Sequence, residues 1–195
     1  MSARRKVCIL LFDDVELLDF AGPMEVFTAA DELSRGERFE VFTVSPTGQT
    51  VRTANGLRVL PDHPMEASPP FDLLVVPGGF GTRALLKDET VLSWIARSAA
   101  GAEIVMSVCT GSLLLGKLGL LDGLRVTTHH EVVALLERLA PRATVVRDQR
   151  FADHGRICTA AGVSAGIDLA LHLVARLHGA EAAQRTASYI EYEQR

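Results

Sequence analysis

Four short apolar segments, separated by longer segments of helical periodicity, constrain the fold of this chain most strongly. They are VCILLF, FEVFTV, FDLLVV and EIVMSV, at residues 7–12, 39–44, 71–76 and 103–108. None alternates strictly between apolar and polar residues, so both faces of each strand are expected to be buried. Buried strands that alternate with helices predict an α/β fold, with a doubly wound, mostly parallel sheet and helices on both faces.

The remaining periodicity predicts six helices, at residues 23–33, 89–100, 111–121, 131–140, 164–178 and about 180–192. Two segments carry hairpin signals. The first is 48–62, with Asn55-Gly56 at its centre, and the second is 143–162, where DHG is the turn and RICTAA a strand that returns to the sheet. No repeat or linker-like change of composition divides the sequence, so we expect one domain over residues 1–195.

Composition and charge argue against several classes of partner. The net charge of −4 includes no basic excess that would favour nucleic acid. The apolar run that follows the first basic residues lasts only from Val7 to Phe12, and nothing approaches the roughly 18 apolar residues of a membrane span. Three widely spaced cysteines without an export signal favour a reducing compartment. We therefore expect a cytoplasmic protein without a membrane or nucleic-acid partner.

The segment SVCTG, residues 107–111, lies where the fourth apolar strand gives way to a helix. Its small residues at both ends have the spacing of a nucleophile elbow, which would expose Cys109 at the carboxyl edge of the sheet. Amides at the helix start would then lower the pKa of its thiol. The alternative is a buried apolar cysteine, which fits the mid-strand Cys8 and Cys158 better. No paired Cys or His spacing accompanies these cysteines, so no metal site is predicted.

Two further loops are predicted to reach the same edge. In VVPGGFG, residues 75–81, the amides of Gly78 and Gly79 can act with that of Thr110 to stabilise negative charge on a substrate. The alternative is an ordinary strand-to-helix turn. In DVELLDFAGPMEVF, Pro23 fits the first position of a helix, which leaves Asp19 in the preceding loop as a proton donor and acceptor for the thiol. Competing acids, each more simply interpreted as a solvated charge, are Asp13, Asp14 and Glu16.

Histidines offer one more candidate. TTHHE, residues 127–131, places two imidazoles side by side near a helix start, and adjacent residues cannot both face one site. At most one of His129 and His130 is therefore expected to matter. The other four histidines have no chemically relevant residues near them in the sequence: His63, His154, His172 and His178.

Taken together, LDFAGPMEVF, VVPGGFG, SVCTGSLLLGKLGLLDGLRVTTHH and GVSAGIDLALHLV resemble the ThiJ/PfpI superfamily, whose fold is related to class I glutamine amidotransferases. The resemblance covers nearly the whole chain and implies a flavodoxin-like sheet. LLDFAGP and SVCTGSLLLG are most similar to isonitrile hydratases and to the amidotransferase-type domain of AraC-like regulators. The resemblance implies that Cys109 is the nucleophile, that Asp19 acts as acid and base, and that Thr110 supports the site as the neighbour of Cys109. It also implies that the amides of Gly78 and Gly79 lie close to the site.

One position departs from the pattern of part of that superfamily. PfpI-type proteases carry His directly after the nucleophilic cysteine, where this chain has Thr110. A Cys-His dyad is therefore absent at that place, which argues against protease or His-dependent deglycase activity. His129 matches a histidine that lies near the nucleophile in several relatives, and it is a candidate for substrate binding.

These inferences predict an isonitrile hydratase that needs no cofactor or metal and converts a small isocyanide to an N-substituted formamide. Relatives are commonly homodimers, so a homodimer is expected. One alternative is a ligand-sensing domain like that of AraC-type regulators, whose helix-turn-helix module would have to follow SYIEYEQR, where these 195 residues leave no room. Another is a different cysteine chemistry on the same scaffold: amide hydrolysis, glyoxal removal or oxidation sensing.

Overall fold

The computed structural model describes residues 4–193. Its strands are β1 Arg5–Leu10, β2 Phe39–Ser45, β3 Val51–Arg52, β4 Arg58–Val59, β5 His63–Pro64, β6 Leu73–Val76, β7 Ile104–Val108, β8 Arg125–Val126, β9 Thr144–Val145, β10 Phe151–His154 and β11 Ile157–Ala160. Its α-helices are α1 Leu17–Glu32, α2 Thr82–Leu85, α3 Glu89–Gly101, α4 Gly111–Lys117, α5 Val133–Leu139, α6 Ala165–His178 and α7 Ala180–Tyr189. Two 3₁₀ turns cover Met65–Ala67 and His130–Val132.

Seven strands form the central sheet, in the order β10-β11-β7-β6-β1-β2-β5. All neighbouring pairs are parallel except β10 with β11. The five inner strands, taken in chain order, therefore lie as 2-1-3-4-5, which is the flavodoxin-like arrangement. The predicted doubly wound, mostly parallel sheet is confirmed.

Apolar strands between two groups of helices form the core. Every residue of β6 and β7 is buried, Ser107 included, as predicted for strands covered on both faces, whereas β2 departs from that prediction because its Glu40 is exposed. Helices α1, α6 and α7 pack against one another, and α2 contacts both α3 and α4, which in turn contacts α5. Within residues 4–193, no helix combines the length and the apolar character needed to cross a bilayer.

The first helix begins six residues before its predicted start. It runs from Leu17, so that Asp19 lies in its first turn and Pro23 in its interior, and the prediction of a loop position for Asp19 is wrong. Proline costs a helix interior about 3 kcal/mol, so the sequence rule favoured a start at Pro23. In this chain, tertiary packing outweighs the cost of the interior proline. A Cβ added at Gly22 would lie 2.8 Å from Cγ1 of Ile167, which places this Gly-Pro pair where α1 crosses α6.

Smaller differences follow from local turns. The helix predicted over 111–121 ends at Lys117, shortly before Gly119 at φ +70°, and that predicted over 131–140 begins at Val133 after a 3₁₀ turn. The 48–62 hairpin is confirmed as β3 with β4. The second hairpin is confined to β10 and β11, because β9 pairs in parallel with β8 instead.

Candidate active site

The loops that follow β1, β6, β7 and β11 meet at one edge of the sheet, where a parallel α/β sheet binds its ligands. A cleft of about 150 Å³ opens there. Its walls include Cys109 and Thr110 from the loop after β7, Gly79 from the loop after β6, and His129. The structure thus brings four of the six predicted site residues to one cleft.

The backbone at Cys109 has the strained geometry of a nucleophile elbow. Its φ angle is +90°, which a side chain other than glycine adopts only when neighbouring contacts impose it. The Cys109 amide donates to the carbonyl of Ala160 at 3.1 Å. Its carbonyl accepts hydrogen bonds from the hydroxyls of Ser112 at 3.0 Å and Thr128 at 2.7 Å. These three contacts hold the strained turn and keep the sulfur at the cleft.

Asp19 is fully buried directly behind this turn. Its Oδ2 accepts a hydrogen bond from the Gly78 amide at 2.9 Å. Its Oδ1 is buried and makes no hydrogen bond of regular geometry among the described residues, although the Cys109 thiol lies close enough to act on its pKa as a donor. Burial raises the pKa of Asp19 to about 7, against weaker lowering by Cys109 and Gly78. Asp19 does not line the cleft, so its expected orientation toward the crevice is corrected to a position behind the sulfur.

The lowered pKa expected for Cys109 is not found. Burial, followed by the charge of Asp19, raises the pKa of the thiol to about 12. The backbone amides of Val163 and Thr110 donate toward the sulfur and lower the pKa, but by less. The sequence revealed the helix start and its amides, whereas the low dielectric and the nearby carboxylate exist only in the folded chain. Near neutral pH the proton therefore resides on sulfur when Asp19 is ionised, and the two groups titrate as a pair.

The amides of Gly78 and Gly79 are engaged inside the site. The Gly78 amide binds Asp19, and the Gly79 amide donates to Oγ1 of Thr110 at 2.8 Å. That hydroxyl also lies 3.1 Å from the Gly79 carbonyl and 3.2 Å from Oγ1 of Thr82. The expectation that both glycine amides point at the substrate is therefore corrected, since they fix Asp19 and Thr110 in place. The amides that approach the sulfur belong to Thr110 and Val163.

Glycine is required at position 78 because the space is filled on all sides. A Cβ there would lie 2.6 Å from the Thr110 nitrogen and 2.8 Å from Oδ2 of Asp19. Glycine is equally required at position 111, where a Cβ would lie 2.1 Å from the Val76 carbonyl oxygen. The loops after β6 and β7 thus approach each other closely around the buried carboxylate.

His129 lines the cleft, whereas His130 lines a separate cavity, in agreement with the prediction that at most one faces the site. The Nδ1 atom of His129 accepts a hydrogen bond from the Glu131 amide at 3.4 Å. Burial, followed by His130, lowers the pKa of His129, so the ring is neutral near pH 7 and carries its proton on Nε2. His129 is therefore arranged to donate a hydrogen bond to a ligand. The described part of the chain contains no cluster of three or more His, Cys, Asp or Glu side chains suited to a metal.

Several cleft residues were not predicted from the sequence. Glu16, interpreted there as a solvated charge, is half-buried on the cleft wall, and Val163 adopts a φ of +39° after β11. At the mouth of the cleft, the guanidinium carbon of Arg83 lies 5.4 Å from the ring centre of the exposed Phe80. Only the strand order, which sets β11 beside β7, brings Val163 to the sulfur. The sequence feature that could have revealed Val163 is the Gly-Val-Ser turn at the carboxyl end of a predicted strand.

Comparison with known proteins gives the following relatives. The DJ-1/PfpI family pattern matches residues 5–176. Isonitrile hydratase from Pseudomonas putida is 37% identical over 190 residues, which cover 96% of this chain and 78% of that protein. The HTH-type transcriptional regulator GbdR from Pseudomonas aeruginosa is 31% identical over 97% of this chain, which spans about half (51%) of the regulator.

Two solved structures extend the comparison. A ThiJ/PfpI family protein from Pseudomonas syringae superposes with a TM-score of 0.88 at 27% identity, covering 99% of this chain and 77% of that one. An AraC family transcriptional regulator from Pseudomonas putida superposes with a TM-score of 0.81 at 25% identity, covering 95% of this chain and 99% of that one. A ThiJ/PfpI family protein and a transcriptional regulator therefore share this architecture.

Proposed function

Because the chain belongs to the DJ-1/PfpI family, we propose that it is a cysteine-dependent isonitrile hydratase, which adds water to a small isocyanide to give an N-substituted formamide. The observation that carries the proposal is the pairing of Cys109 in the cleft with the buried Asp19, whose pKa is about 7. The 37% identity to an isonitrile hydratase over most of the chain supports the choice of substrate. Thr110 stands where PfpI-type proteases carry a histidine, and this argues for a hydratase and against a protease.

In the first step, the sulfur of Cys109 bonds to the terminal carbon of the isocyanide. The Asp19 carboxylate accepts the thiol proton and delivers it to that same carbon, so a neutral thioimidate forms and Asp19 returns to its ionised form. A pKa near the working pH suits both halves of this transfer. Oδ1 is the oxygen for the task, because Oδ2 is held by the Gly78 amide.

In the second step, water adds to the thioimidate carbon and the carbon–sulfur bond breaks. One water proton goes to nitrogen, and the proton of the new hydroxyl goes to the leaving sulfur, which releases the formamide and restores the thiol. Water approaches from the open side, where Asp19 is not exposed, so we assign its activation to Glu16 on the cleft wall. The amides of Thr110 and Val163 stabilise the sulfur as it leaves.

The size of the cleft favours a small substrate. A volume of about 150 Å³ accepts the narrow, linear isocyanide group, with the apolar Val132 and Val163 on its walls. The N-substituent would then extend past the exposed Phe80 at the mouth. Because the isocyanide group carries no net charge, the neutral state of His129 is compatible with its binding.

The test is direct. Purified protein is incubated with a panel of small aliphatic isocyanides, and formamide is quantified by chromatography, with Cys109→Ala as the matched control. Glyoxalase and peptidase activities are measured on the same preparation. Formamide production that requires Cys109 supports the proposal, whereas full turnover by Cys109→Ala contradicts the thioimidate mechanism.

A ligand-sensing domain is the second candidate function. It is favoured by the identity of 31% to a transcriptional regulator over nearly the whole chain. A sensing domain would bind its ligand in the same cleft without turning it over. Absence of all three activities, together with a rise in the thermal unfolding midpoint when an isocyanide or another small ligand is added, favours this candidate.

The proposal includes assembly of two copies into a homodimer. It is supported by Leu57 and Leu60, two apolar side chains near each other in sequence that are each more than half exposed and lie outside the cleft. Light scattering during size-exclusion chromatography measures the assembly. A monomeric mass across the working concentration range removes the homodimer from the proposal and leaves the chemistry of the cleft untouched.

A further inference from the structure

The segment 161–164, between β11 and α6, contributes Val163 to the cleft wall. A φ of +39° is unusual for a β-branched residue, so contacts outside Val163 have to maintain it. The segment follows Ala160, whose carbonyl accepts the hydrogen bond from the Cys109 amide. Its conformation therefore determines whether the Val163 amide faces the sulfur.

Arg150 contacts both ends of this segment. Its carbonyl accepts a hydrogen bond from the Ala161 amide at 2.8 Å, and its guanidinium donates to Oγ of Ser164 at 3.1 Å. The same guanidinium binds Oδ2 of Asp168 through two of its nitrogens. The rigid, planar fork of arginine contacts Ser164 and Asp168 at once, which the single ammonium of lysine cannot reproduce, whereas the contact to Ala161 belongs to the backbone and does not depend on the side chain.

Asp168 anchors this arrangement to a helix. It lies in the first turn of α6 and is almost completely buried, and its second oxygen, Oδ1, accepts a hydrogen bond from the Tyr192 hydroxyl at 3.2 Å. A buried carboxylate needs such partners, so the guanidinium is held firmly between the helix and the loop.

We propose that Arg150 is a positioning residue for Cys109, which holds residues 161–164 in the conformation that turns the Val163 amide toward the sulfur. The proposal rests on the proposed role of Cys109 as nucleophile. Arg150 does not line the cleft. It lines a neighbouring cavity together with Arg147, which makes an ion pair with Glu137.

Removing Arg150 should act on the thiol through this amide. The titratable and charged groups around the sulfur stay in place: they are Asp19, Glu16, Arg83, His129 and Glu131. The Val163 amide stabilises the thiolate, so its loss raises the pKa of Cys109 and lowers the thiolate fraction at every pH below that value.

The test measures alkylation of Cys109 by iodoacetamide between pH 7 and 9, followed by mass spectrometry of the peptide that contains it. Arg150→Met is expected to slow alkylation at each pH roughly tenfold, the size of one hydrogen bond to a charged group. The turnover number for isocyanide is expected to fall by a similar factor, with a smaller change in KM. Arg147→Met, in the same cavity but without contact to the segment, is expected to match the wild type.

The outcomes separate the hypotheses. A folded Arg150→Met variant with wild-type alkylation, or an equal slowing in Arg147→Met, overturns the proposal. If Arg150→Met does not fold, Ser164→Ala decides, because it removes only the loop contact and is expected to slow alkylation ~3-fold, a fraction of one hydrogen bond. Wild-type alkylation in Ser164→Ala then overturns the proposal. Because alkylation needs no isocyanide turnover, failure of the hydratase assay alone rejects the proposed function and not the role of Arg150.

Discussion

Two of the three cysteines lie beside a buried or half-buried aspartate, and the two pairs differ in how the carboxylate is satisfied. The thiol of Cys158 donates to Oδ1 of Asp153 at 3.3 Å. Asp153 also accepts hydrogen bonds from His172 at 2.7 Å, from the Gly155 amide at 2.7 Å and from Arg176 at 2.7 and 2.8 Å. Burial acts to raise the pKa of Asp153, but these donors outweigh it and lower the pKa to about 2.

Asp19, beside Cys109, has a single backbone donor and a pKa of about 7. Burial raises the pKa of both thiols to about 12, so the thiol does not distinguish the two pairs. The carboxyl group distinguishes the two pairs, because Asp153 stays ionised at every physiological pH whereas Asp19 can take and release a proton near neutral pH. Access differs as well, since Cys158 lies in a regular strand and Cys109 at a strained turn on the cleft. Of the two aspartates, the one with few hydrogen-bond donors is therefore the one that we expect to exchange a proton with its cysteine near neutral pH.

The largest contrast is expected from removing each sulfur. Cys109→Ala is expected to reduce formamide turnover by at least about 10⁴-fold, as for the loss of other catalytic nucleophiles. Cys158→Ala is expected to retain turnover within a small factor while the free energy of unfolding falls by about 1–2 kcal/mol. Turnover assays and urea unfolding of both variants measure this contrast. Comparable losses of turnover in the two would remove the distinction between the pairs.

A smaller contrast is expected from neutralising each acid. Asp19→Asn keeps an acceptor for the Gly78 amide but cannot carry the proton, and it is expected to lower the turnover number by about 10²–10⁴-fold. Asp153→Asn weakens the contacts to His172 and Arg176, so it is expected to lower the free energy of unfolding by about 1–3 kcal/mol with little change in turnover. Circular dichroism on both variants controls for folding. Near-normal turnover in Asp19→Asn would show that the proton travels by another route.

The pH dependence of stability is expected to have opposite sign at the two acids. Asp19 binds its proton more tightly when folded, so its contribution to stability falls on the order of a few kcal/mol as pH rises from about 4 to about 7. Asp153 binds its proton less tightly when folded, so its contribution is present above about pH 4 and is lost as pH falls toward 2. Urea unfolding from pH 2 to 8 measures both. Each pH dependence of the free energy of unfolding is expected to disappear in the matching Asn variant. If the pH dependence persists in that variant, another titratable group causes it.

The smallest expected effect concerns Glu16. Glu16→Gln removes the proposed activator of water, and it is expected to lower turnover by about 3–10-fold, less than the loss of a fully positioned base. Its charge also raises the pKa of Asp19, so the inflection in kcat/KM near pH 7 is expected to move to lower pH. Glu25→Gln, on the exposed face of α1, is the matched control. Equal behaviour of the two variants would contradict the role given to Glu16.

The sequence predicted the sheet well and the site in part. The carboxyl ends of the inner strands were found within two residues, because the largely buried strands leave short, mostly apolar segments. Cys109 was identified because an elbow needs small residues at fixed spacing. Pro23 misled the prediction for Asp19, since the close contact of α1 with α6 is invisible in the chain.

The remaining differences have the same origin. The pKa of Cys109 depends on burial and on the distance to Asp19, neither of which is a property of local sequence. Whether the Gly78 and Gly79 amides are free depends on which side chains reach them. Val163 was missed because its place beside the sulfur follows from strand order.

The central claim is that Asp19 exchanges a proton near neutral pH whereas Asp153 does not. Carboxyl ¹³C NMR of protein labelled at the aspartate side chain measures both directly, with the two resonances assigned by their loss in Asp19→Asn and Asp153→Asn. The expected result is a titration of Asp19 near pH 7 and of Asp153 near pH 2. A titration of Asp19 near pH 4, the range of an ordinary aspartate, would contradict the account.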